Sequence, residues 1–152
     1  MSQLKDRLRT DLTAAIKARD EVRSSTLRMV LTAVSTAEVA GKQSRELSDD
    51  DVVAVLSTEA KKRREAAEAF EEAGRTEMAA KERAEAEVLA DYLPEQLDPG
   101  EISTLVREAI EQTAAAGEGM RAMGKVMGVV QPRTRGRADG AAVAAEVRRQ
   151  LG

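Results

Sequence analysis

The chain contains no cysteine, histidine or tryptophan, and Phe70 and Tyr92 are its only aromatic residues. Lacking cysteine, it can build neither a disulfide framework nor thiolate metal sites. Without histidine it has no side chain whose ordinary pKa lies near neutrality, and no usual base for a nucleophilic serine. A core with so few aromatics must be made of Leu, Val, Ile, Met and Ala, which suits close-packed helices better than a sandwich or barrel. No apolar run approaches the length of about 18 residues that a membrane helix requires. The charged start Lys5-Asp6-Arg7 is unlike a signal peptide. The expectation is a cytoplasmic all-α protein with no membrane partner.

At 152 residues the chain fits one ordinary domain or two small ones. Its net charge of −3 conceals a strong asymmetry. Residues 1–45 carry nine basic and five acidic side chains, residues 46–101 carry seven and seventeen, and residues 102–152 carry eight and five. A polyanion should therefore meet the ends and avoid the middle.

Leu4, Leu8, Leu12 and Ile16 form one apolar stripe and predict a first helix over Gln3 to Ala18. Leu27, Val30, Leu31 and Val34 predict a second, ending near Gly41 and paired with the first as an antiparallel hairpin. Ser48 before Asp49, Asp50 and Asp51 predicts a capped helix start, with Val53, Leu56, Ala60, Ala67 and Phe70 inward and Gly74 as the stop. A fourth helix is expected from Thr76, its cap, to Tyr92, reaching the core through Met78, Ala86, Leu89 and Leu93.

Pro94 and Pro99 break the pattern and place a hinge. Asp98 as cap, Pro99 at the first helical position and Glu101 predict a fifth helix with Ile102, Leu105, Val106, Ala109 and Ile110 inward. A sixth should bury Met120, Met123, Met127 and Val130 and stop at Pro132. A seventh, capped by Asp139, should bury Val143, Val147 and Leu151. The fold expected is thus a four-helix N-terminal domain (1–93) joined by a proline-containing hinge to a three-helix C-terminal domain (98–152).

Arg121, Lys125, Arg133, Arg135 and Arg137 follow one another with no acid between them, on a short helix-like piece and a loop that glycine and proline should hold open. Such a loop suits phosphate contacts, because each neutralised phosphate releases counterions. With no aromatic residue to stack bases, recognition would be of shape and backbone, and no DNA sequence readout is expected. A solvated basic loop is the bland alternative.

Gly119 to Val126 has P-loop spacing, but Val126 stands where a magnesium-holding hydroxyl belongs and no strand precedes it. Asp49, Asp50 and Asp51 point in different directions from one helical turn, so capping explains them better than a metal. Ser24, Ser25 and Thr26 have no histidine to activate them, which leaves only a serine-lysine arrangement formally open, and they suit bonds back to the preceding turn. No catalytic residue, metal or cofactor is assigned.

Several stretches together resemble the GatB/YqeY family: Arg23-Ser-Ser-Thr-Leu-Arg28, Lys62 to Arg75, Tyr92-Leu-Pro-Glu-Gln-Leu97, Gly124-Lys-Val-Met-Gly128 and Gly136-Arg-Ala-Asp-Gly140. The likeness spans essentially the whole chain. Such proteins are similar to the C-terminal helical and tail domains of the B subunit of the tRNA-dependent amidotransferase. The resemblance implies a tRNA, or a tRNA-amidation complex, as partner, with Lys125, Arg135 and Arg137 as contact residues. It also implies a label of carbon-nitrogen ligase with glutamine as amido-N-donor. The B subunit's catalytic cradle has no counterpart in this chain. The expected function is therefore a non-catalytic tRNA-binding module, with an accessory role in amidation, or protein interaction through the acidic helices, as alternatives.

Overall fold

A computed structural model describes residues 2–152. Among these the regular structure is helical throughout: seven α-helices and one 3-10 turn, with no strand. The helices are α1 (Gln3–Lys17), α2 (Glu21–Glu38), α3 (Asp49–Glu72), α4 (Thr76–Ala90), α5 (Pro99–Gln112), α6 (Met123–Thr134) and α7 (Gly140–Leu151). The 3-10 turn, Gly119–Ala122, leads directly into α6. The chain divides into two compact units, Met1–Leu93 and Pro94–Gly152. No described helix is long and apolar enough to cross a membrane.

In the first unit, α1 pairs with α2 and α3 with α4, around a core of Leu8, Leu27, Val30, Val34, Leu56 and Leu89. Helix α3 starts where Ser48 and Asp51 cap one another's backbone amides, a reciprocal capping box. Asp49 instead accepts from the Ser2 hydroxyl and the Leu4 amide, tying α3 to the start of α1 and holding its carboxyl below the usual range. The helix ends at Gly74, whose φ of +75° lets Arg75 N–H reach back to the Phe70 carbonyl at 2.8 Å.

Two expected apolar faces hold only in part. Along α3, Leu56, Ala60 and Ala67 are buried as expected, while Val52 is buried in place of Val53, and Val53 and Phe70 are half-buried. On α4, Met78 is exposed, and Ala79, Glu85 and Leu89 face inward. Thr76 is the first helical residue rather than the cap; Arg75 stands at the cap position and offers no side-chain bond.

Charged side chains also lie between α3 and α4. Arg63 lies within 3.3 Å of Glu59, 3.6 Å of Glu82 and 3.8 Å of Glu85. Burying Glu59 and Glu85 is tolerable because Arg63 supplies the opposite charge. A second polar cluster closes the other end: Tyr92, 5% exposed, gives its hydroxyl proton to Asp11 and accepts from Arg23. Arg7 stacks over the Tyr92 ring, 4.7 Å from its centroid. Lys5 of α1 bonds Glu38 of α2 at 2.8 Å.

Candidate nucleic-acid interface

The second unit is assembled from the residues between Pro94 and Gly152. Asp98 and Glu101 form the capping box of α5, with Pro99 at its first position, where a missing N–H costs nothing. Ile102, Val106 and Ala109 of α5 pack on Ala122, Val126 and Val130 around α6 and on Val143 and Val147 of α7. In a core this small, valine and alanine do the filling. Met123 and Met127 are half-buried at its margin, and Met120 is exposed, against the expectation of a buried methionine stripe.

The expected short helix is present and runs further into the basic stretch, taking in Arg133. Arg121 lies in the 3-10 turn, Lys125 in the first turn of α6, and Arg133 in its last turn. Pro132 does not stop α6, which continues to Thr134; only the Pro132 amide is lost, one bond near the helix end. Arg135 caps the helix, and Gly136 then adopts φ +74° to turn the chain toward α7. This order sets Arg133 and Arg135 at the negative end of the α6 dipole, where cations are stabilised.

The five cations are not equivalent. Lys125 is paired with Glu118 at 2.8 Å, both side chains remaining about 40% exposed. Among the described residues Arg121 reaches only the Glu118 carbonyl, at 3.5 Å. Arg133 touches Gln112 at 3.5 Å, and the Arg135 side chain is exposed with no partner among the described residues. Arg137 is half-buried and donates to the Glu95 carbonyl at 3.0 Å. Its own carbonyl accepts from Leu97 N–H at 2.8 Å, and Gln96 bonds the Gly136 carbonyl at 2.8 Å. Arg137 thus fastens the Pro94–Leu97 segment to the α6–α7 turn.

Glu118, the acid that meets Lys125, lies just outside the uninterrupted basic stretch. A helical count from Lys125 back through the glycines could have flagged it. The geometry brings no reactive pair together here. Gly124 and Lys125 are inside α6, so their amides do not form a phosphate-cradling loop. Among the described residues, no three His, Cys, Asp or Glu side chains are grouped so as to hold a metal ion. Ser24 and Thr26 bond the carbonyls of Asp20 and Val22, each at 2.7 Å, as small hydroxyl residues in a helix do.

Residues 5–151 match the family described as Yqey-like protein. An uncharacterized protein of Schizosaccharomyces pombe is 37% identical over 89 residues, which is 58% of this chain and 70% of the yeast protein. A family match running through both helical units, from α1 to the end of α7, shows that the chain belongs to the YqeY-like family.

Proposed function

We propose that the chain is a non-catalytic helical module that binds RNA, with tRNA as the favoured ligand, through the cations around α6. The observation that carries this reading is the exposure of Arg121, Arg133 and Arg135 without a carboxylate partner among the described residues. Three unneutralised guanidinium groups on one small unit attract phosphate at little desolvation cost. The Lys125–Glu118 pair is exposed, so its Coulomb energy is small and a phosphate can displace the carboxylate. The likeness to the amidotransferase tail supports RNA over other polyanions. A composition without histidine or cysteine supports binding over chemistry.

Filter binding of unfractionated tRNA across a salt series tests this. The expected result is binding at low salt whose logarithmic salt slope falls by about one for each of Arg121, Arg133 and Arg135 changed to alanine. Retained affinity in the triple variant, or no binding at low salt, would remove the proposal.

A further inference from the structure

Five large apolar side chains are exposed among the described residues, and three of them, Ile16 at 50%, Val22 at 40% and Val39 at 64%, line hollows on α1 and α2. The first hollow, of about 670 Å³, is lined by Ile16 and Val22 together with Arg19, Arg28 and Lys81. Glu21 is its only acid. The second, of about 500 Å³, is lined by Leu12, Leu31, Thr32, Thr36 and Val39, and again by Arg28. Arg28 lines both, so the two hollows adjoin along α2.

From Val22 to Val39 the two together run about 25 Å at 1.5 Å per helical residue. The side chains of Arg19, Arg28 and Lys81 meet no partner among the described residues. Of the hydroxyls that line the hollows, Ser25, Thr32 and Thr36 donate to the carbonyls of Val22, Arg28 and Thr32. The lining thus combines exposed aliphatic side chains with three cations that have no partner among the described residues.

We infer that the adjoining hollows form a groove that receives an amphipathic helix of a partner protein, apolar on one face and flanked by carboxylates. Helix-in-groove recognition needs an apolar strip and complementary charge, and both are present here. A helix of four to five turns matches the length. RNA would satisfy the cations but has no aliphatic side chains to cover Ile16, Val22 and Val39. The groove and the basic face of α6 use different residues, so the two proposals stand or fall separately.

Photo-crosslinking of the full chain in extract of its own source cells tests the inference. A photoreactive phenylalanine replaces Val22, Val39 or, as an exposed control outside the groove, Met78. The expected result is that Val22 and Val39 crosslink to one identified protein segment of net negative charge with apolar residues three and four apart. Met78 should not, and Arg28→Glu should cut the yield about tenfold with the helical circular dichroism unchanged. Crosslinks to RNA, to a second copy of this chain or to a segment without that pattern would overturn it. So would yields no higher than the Met78 control, or indifference to Arg28→Glu.

Discussion

Tyr92 donates its phenol proton to Asp11 across 2.6 Å, joining the end of α4 to the middle of α1. Arg23 of α2 donates to the same phenol oxygen at 2.8 Å and lies 3.5 Å from Asp91. Three helices are thereby fixed by one aromatic residue. Sequence likeness had set Arg23 and Tyr92 in separate motifs; in the fold they are one contact.

Burial, and then the Asp11 carboxylate, push the Tyr92 phenol up to about 12 from its usual 10.0. The folded state therefore holds this proton where the unfolded chain has lost it. That contribution to stability is complete below pH 10 and disappears as pH rises toward 12. Tyr92 is the only tyrosine and there is no tryptophan, so phenolate absorbance reads it directly. The titration should centre near 12 and shift downward in Asp11→Asn. An ordinary tyrosine midpoint would refute the contact.

Acid should weaken the second unit through Glu146. Hydrogen bonds from Arg149 and Gln150 hold its carboxyl at about 2, against a usual 4.5. Its contribution is present at neutral pH and is lost as pH falls between those two values. Thermal melts across this range should fall more steeply for the native chain than for Glu146→Gln. Parallel slopes would show the carboxylate to be idle.

Core truncation should separate buried from exposed apolar residues. Leu27→Ala, at a fully buried site, should cost about 2–5 kcal/mol in urea unfolding. Met78→Ala, on the outer side of α4, should stay within about 0.5 kcal/mol.

Gly136, like Gly74, has a visible backbone task. At φ +74° it turns α6 toward α7 and presents its carbonyl to Gln96. Gly136→Ala should cost about 1–2 kcal/mol from left-handed strain, read as a lowered urea midpoint. Because Arg135 and Arg137 flank it, tRNA affinity should fall in the same variant, and Gln96→Ala should reproduce part of that loss.

The helices were legible wherever local chemistry decides the matter. Ser48 with Asp51, and Asp98 with Glu101, announce their helix starts because a cap acts on amides within one turn. Apolar faces were less legible. A valine pair such as Val52 and Val53 leaves the register open by one residue, and the buried pairing of Glu59 and Glu85 with Arg63 depends on a partner helix that periodicity cannot see. Ile16 completes a four-residue stripe yet stands half-exposed, because a strict spacing of four drifts around a helix of 3.6 residues per turn. Among the basic residues, the sequence alone could not distinguish Arg135, which projects into solvent, from Arg137, which spends its donor on Glu95.

The Arg137 and Gln96 bonds also decide where the chain can be divided for study. A fragment starting at Asp98 would discard Leu97, which packs on the second core and donates to the Arg137 carbonyl, along with the acceptor at Glu95. One starting at Pro94 keeps all of these, and is the piece to express when the tail is to be handled alone.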